Sequence, residues 1–165
     1  MKSKILHYAK EILIFFIIMT VFANLLSLYK SSELNKSTLD LPLLKTINNT
    51  FFELDREKPV LVHFWATWCP TCKLEAANIN TISTSYQVVT IAVKSGSDQE
   101  IKNYLNENNL HFITINDYNS QLAQKFNIGA YPTTFIYDKK GNQKENLIGK
   151  QSYELFEQAV KELIN

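Results

Sequence analysis

Apolar positions fall into runs of two periods. Behind Pro59, the stretch Val60-Leu61-Val62-His63-Phe64-Trp65-Ala66 is apolar almost throughout, β-branched and aromatic, with no interior Gly or Pro. It predicts a buried strand. Gln87–Val93 (QVVTIAV) and Thr133–Tyr137 predict two more, and Phe112–Ile115 a short one. Asp138–Gly141 is a turn into a partner strand, Gln143–Ile148. Near the start, Leu43–Ile47 and Thr50–Leu54 flank Asn48-Asn49 as a hairpin. Other segments carry helical spacing. One helix covers Thr71 to Ser85, with Pro70 suited to its first turn. Ser97-Asp98-Gln99-Glu100 is a capping box opening a helix through Asn108, with Ile101, Tyr104 and Leu105 on one face. Ser120–Phe126 is a short helix ending before Gly129. Ser152–Ile164 is amphipathic, with Leu155, Phe156, Ala159, Val160 and Leu163 inward. An early βαβ unit followed by a late hairpin and a covering helix predicts an α/β fold with a mixed sheet between helices.

The N-terminal pattern is different. Ile12 to Tyr29 runs eighteen residues without a charge. At about 1.5 Å per residue this approaches the roughly 30 Å hydrocarbon core of a bilayer. Lys2, Lys4 and Lys10 precede it, so the expected topology keeps the N-terminus in the cytoplasm and exports the rest. The expected division is 1–11 a basic flank, 12–29 a transmembrane anchor, 30–40 a polar tether, and 41–165 the domain. A cleaved signal peptide is the rival, with small residues around Val21-Phe22-Ala23, although apolar residues continue through Leu25, Leu26 and Leu28. A buried soluble helix is a third alternative.

Charge changes the picture little. Seventeen basic and sixteen acidic residues leave a net charge of +1, which points to no polyanionic partner such as nucleic acid. The cysteines change it a great deal. Cys69 and Cys72 are the only two, too few to make a structural framework as well as an active site. Cys69 falls at the strand-to-helix junction, where unpaired N–H groups and the helix dipole favour a thiolate. Cys72 lies one turn on, on the same face, within reach of a disulfide. This is the layout of a dithiol/disulfide exchange centre, in which Cys69 forms a mixed disulfide and Cys72 resolves it. The cysteines are then the redox centre and no cofactor is called for. Two thiolates are too few for a closed zinc site, but a soft Cu(I) ion is an alternative occupant.

Phe64-Trp65-Ala66-Thr67-Trp68-Cys69-Pro70-Thr71-Cys72 and Tyr131-Pro132-Thr133-Thr134-Phe135, in this order of elements, resemble the thioredoxin superfamily. The additional helix and strand at Ser97–Ile115 and the N-terminal segment resemble its membrane-tethered TlpA-like branch. Val88 to Asp98, Ile115-Asn116-Asp117 and Leu122-Ala123 are similar to the ScsD-like proteins, named for suppression of copper sensitivity. The resemblance implies a thioredoxin fold with an inserted α-β unit over about Leu41–Asn165. It implies that Pro132 is a cis proline beside the sulfurs, that Tyr131 offers its backbone to an extended substrate, and that Trp68 covers the site. Trp65 is expected in the core. Pro70 and Thr71 separate the cysteines and bring no positive charge. His63 stands where thioredoxin has a buried Asp. It could serve as a base, favour the thiolate when charged, or simply be hydrogen-bonded in the core.

The expected activity is a periplasm-facing, membrane-anchored thiol-disulfide oxidoreductase of the bacterial inner membrane. Its partners would be exported cysteine-containing proteins and a membrane electron donor, and its direction reducing. The alternatives are a cytochrome c maturation reductant, whose relatives carry an acidic residue where this chain has Thr133, and a non-enzymatic Cu(I)-binding module.

Overall fold

The computed structural model describes Lys10, residues 12–22, Leu39 and residues 44–164. The chain divides into two units, Met1–Glu33 and Leu34–Asn165. In the first, residues 12–22 are helical (α1), and apolar side chains from Ile12 to Phe22 are exposed. Among the described residues no helix is long and apolar enough to cross a membrane. The rest of the expected anchor, 23–29, lies outside the described residues, as do Ala23 and the expected domain start at Leu41. Leu39, within the expected tether, is buried and donates its N–H to the Gly141 carbonyl at 2.7 Å.

The second unit runs β1 (Leu44–Lys45), β2 (Phe51–Phe52), β3 (Val60–Trp65), α2 (Pro70–Ile82), β4 (Gln87–Val93), α3 (Asp98–Glu107), β5 (Thr114–Asp117), α4 (Gln121–Lys125), β6 (Thr133–Tyr137), β7 (Gln143–Ile148) and α5 (Tyr153–Ile164). Five strands form one sheet in the order β5-β4-β3-β6-β7. β3 and β4 are parallel, as are β4 and β5; β6 runs antiparallel to β3 and to β7. Parallel neighbours need a crossover, and α2 and α3 supply the two required here. Alternation along β3 divides the core. Leu61 and Trp65 face α2, α3 and α5, packing with Ile79, Ile82, Ile101, Phe156 and Val160. Val60, Val62 and Phe64 face the other way, onto Phe126, Phe135 and Tyr137. Both faces of β3 are dry, which is why it reads as an uninterrupted apolar run.

Ser97 caps α3 as expected: its Oγ accepts the Glu100 N–H at 3.3 Å and the Glu100 carboxylate accepts the Ser97 N–H at 2.7 Å. Ser97→Ala should lower stability by about 1 kcal/mol. A urea melt with a lower midpoint and unchanged slope would register it.

Several elements differ from expectation. The hairpin strands are short, and their ladder gives way to a bridge from Thr46 to Ile115 that covers the β5 edge. β5 starts at Thr114 because Phe112 is spent on the core, its ring 5.7 Å from that of Trp65. α2 stops at Ile82, with Ser83 as its C-cap. On α5, Leu155 is 40% exposed rather than inward, since Phe156 and Val160 already fill the stripe facing α2.

Candidate active site

β3 delivers the chain to the N-terminus of α2, where Cys69 is the N-cap and Pro70 the first helical residue. Cys69 and Cys72 form a disulfide with Cα atoms 5.3 Å apart. Cys69 Sγ accepts the Cys72 N–H at 3.1 Å, so the helix end already points a donor at this sulfur. Cys69 is 5% exposed and Cys72 2%. Pro70 and Thr71 are exposed at the mouth. From the other side, the Tyr131-Pro132 peptide is cis, and the Tyr131 carbonyl oxygen lies 3.7 Å from Cys69 Sγ. Pro132 is buried. Trp68 is 56% exposed; its Nε1 donates to the Lys94 carbonyl at 3.0 Å, and its ring meets Tyr131 edge-on at 5.7 Å. Trp65 is a core residue, donating to Thr90 Oγ1 at 3.1 Å. Thus Tyr131 and Pro132, distant in sequence, join Trp68 beside Cys69.

His63 points into the layer under α2, with Leu61 and Trp65. Its Nδ1 lies 2.9 Å from Thr134 Oγ1, on β6. Its Nε2 lies 3.9 Å from Glu75 Oε2, and both side chains are almost wholly buried. Burial holds the imidazole neutral, pushing its pKa from 6.5 down to about 3. No imidazolium field therefore acts on the sulfurs at neutral pH.

Glu75 is the residue that sequence reasoning passed over. It is fully buried, on the face of α2 that also carries Cys72, one turn earlier. Its Oε1 accepts the Gln151 N–H at 2.6 Å, while Oε2 has no hydrogen-bond partner. Burial pushes its pKa from 4.5 up to about 7, with the Gln151 bond and the charge of Lys150 opposing. The available signal was spacing: Cys72, Glu75, Ala76 and Ile79 share one helical stripe. Among the described residues no cluster of three or more His, Cys, Asp or Glu side chains could hold a metal ion.

Residues 38–145 match the AhpC/TSA family. The chain belongs to that family. It is 39% identical over 111 residues to a "Thioredoxin-like protein" of Haemophilus influenzae, covering 65% of this chain and 64% of that one. It is 32% identical over 110 residues to "Thiol-disulfide oxidoreductase ResA" of Bacillus anthracis, with 64% of each chain covered. The match thus spans 64% of the length of each of these relatives. StoA from Bacillus subtilis superposes with a TM-score of 0.64 at 24% identity, over 76% of this chain and 97% of StoA. The exposed lipoprotein thioredoxin of Streptococcus pneumoniae gives 0.65 at 23% identity, over 76% and 100%. The fold is therefore the thioredoxin fold, a mixed sheet flanked by helices with a CxxC pair at the end of β3.

Proposed function

We propose that this protein is a membrane-anchored thiol-disulfide oxidoreductase working on cysteines of exported proteins, in the reducing direction. The observation that carries the reading is the Cys69–Cys72 disulfide capping α2 beside the Tyr131 carbonyl. Supporting it, relatives are named thiol-disulfide oxidoreductases. The uncharged run Ile12–Tyr29, of which residues 12–22 form the helix α1 with exposed apolar side chains, supports the anchor and a periplasmic domain. The Pro70-Thr71 dipeptide, which adds no cation beside Cys69, supports the direction. The ScsD-like resemblance belongs to the same reading.

In the reduced enzyme, the Cys69 thiolate attacks a substrate disulfide, forming a mixed disulfide and expelling one substrate thiolate. The Cys72 thiol passes its proton to the Glu75 carboxylate and attacks Cys69 Sγ. The intermolecular bond breaks, the second substrate sulfur leaves as a thiolate, and the Cys69–Cys72 disulfide returns. A pKa of about 7 suits Glu75 to accept and release that proton near neutral pH. A membrane thiol donor would then return the two electrons.

Insulin reduction driven by dithiothreitol tests the activity, and a Cu(I) titration of the reduced protein runs beside it. Catalysed reduction supports the reading. Stoichiometric Cu(I) capture without turnover would replace it with a metal-binding module.

A further inference from the structure

A polar row crosses the layer beneath α2. Sheet register sets Thr114, Thr90, His63 and Thr134 side by side across β5, β4, β3 and β6, each no more than 2% exposed. In-register neighbours share a face, and His63 alternates with Leu61 and Trp65, which face α2. Buried polar groups need partners, and the row supplies most of them from within. Thr90 Oγ1 accepts the Trp65 indole N–H at 3.1 Å and lies 3.0 Å from Thr114 Oγ1. Thr134 Oγ1 lies 2.9 Å from His63 Nδ1. The other ring nitrogen, Nε2, faces Glu75 Oε2 at 3.9 Å, and that oxygen is buried with no hydrogen-bond partner.

A gap of 3.9 Å is too narrow for an intervening water, which needs about 2.8 Å on each side. It is about 1 Å longer than a direct bond, and the terminal torsion of a glutamate is soft enough to close it. The partners fix the chemistry of that bond. Burial keeps the imidazole neutral, with one N–H and one lone pair. A carboxylate only accepts, so the N–H must sit on Nε2, and Nδ1 then accepts from the Thr134 hydroxyl. The remaining groups around Glu75 act elsewhere. The Gln151 N–H is on Oε1, Lys150 is exposed and acts through its charge, and Tyr153 on α5 has its hydroxyl 3.0 Å from Glu157 Oε1. Cys72, on the same helix face, is the proton's source.

We propose that His63 is a positioning residue for resolution of the mixed disulfide: its Nε2–H, aimed by Thr134, bonds Glu75 Oε2 and holds that carboxylate ionised and oriented until it takes the Cys72 proton. The inference rests on the exchange reading above, with Glu75 as the base. The proton passes from Cys72 Sγ to the Glu75 carboxylate; His63 neither gains nor loses one, and the thiolate left on Cys72 attacks Cys69 Sγ. A bond to an ionised acceptor is roughly twice as strong as one to a neutral acceptor, so losing it favours the protonated Glu75, which cannot serve as the base.

Rapid mixing of the reduced full-length protein with a disulfide-linked peptide, followed by acid quench, times the decay of the mixed disulfide from about pH 5 to 9.5. Two variants separate the ring nitrogens. His63→Gln keeps an amide N–H near the Nε2 position, whereas His63→Asn keeps a polar group only near Nδ1. The wild-type rate should rise with a midpoint at about 7. His63→Gln should hold that midpoint. His63→Asn should move it about one unit alkaline, so that resolution is about fivefold slower at pH 7 and level with the wild type near pH 9.5. A merely structural histidine would change stability without moving the midpoint. In a Glu75→Gln background, His63→Asn should leave the rate unchanged to within about twofold, because His63 acts through Glu75. An unmoved midpoint in His63→Asn, an equal shift in both variants, or a further slowing in the Glu75→Gln background would overturn the role and leave the exchange reading standing. A wild type that does not exchange with dithiothreitol would sink the exchange reading itself.

Discussion

Cys72→Ser should turn the protein from a catalyst into a trap. With no resolving thiol, Cys69 forms a mixed disulfide with a substrate and stays there, so turnover falls to the uncatalysed rate. Mass spectrometry should find one adduct per chain, on Cys69. Cys69→Ser should abolish turnover as completely but capture nothing, because Cys72 is 2% exposed and lies behind the helix end. The asymmetry follows from position. Cys69 is the N-cap of α2, receives the Cys72 N–H and lies against the Tyr131 carbonyl, where an extended partner strand can approach. Equal adducts on the two cysteines in the paired variants would contradict that assignment.

Glu75→Gln should stabilise the protein at alkaline pH while impairing it. The carboxyl has a raised pKa in the fold, about 7 against 4.5. Between those values the folded state holds a proton that the unfolded state has lost. The stability linked to Glu75 is therefore fully present below pH 4.5 and is lost as pH rises through 7. Glutamine cannot ionise, and its amide oxygen still accepts the Gln151 N–H. The variant should thus match the wild type below pH 4.5, gain on it between 4.5 and 7, and level off about 3 kcal/mol more stable. In melting temperature that is on the order of 10 °C at pH 8. Over the same range the resolving step should slow about a hundredfold, the usual worth of a positioned base. Thermal melts from pH 4 to 8, with single-turnover rates alongside, check both. A pH-independent difference in stability would contradict a buried, ionising Glu75.

His63 has the opposite sign. Its pKa is depressed to about 3, so its contribution is present above pH 6.5 and lost as pH falls through 3.

How much could be read in advance depended on what each segment's pattern had to satisfy. β4 and β6 begin and end where their runs do, because sheet pairing and burial ask for the same residues, and β7 follows from the turn that pairs it with β6. The capping box of α3 was legible because a cap is a local bond. β5 slipped by two residues because Phe112 serves the core beneath Trp65, a long-range demand with no local mark. At the site, the two cysteines and the Tyr131-Pro132 pair were legible as motifs. Glu75 was not, since a single acid early in a helix ordinarily faces water, and only the packing of α5 and the Gln151 loop encloses it.

The central claim is that Cys69 and Cys72 form a reversible two-electron centre poised for reduction. Its most direct test is the redox equilibrium of the full-length protein in glutathione buffers, read by thiol alkylation. The account predicts a single two-electron transition near thioredoxin's potential, about −270 mV. A transition near that of DsbA, about −120 mV, would contradict the direction, and a disulfide that never equilibrates would contradict exchange itself.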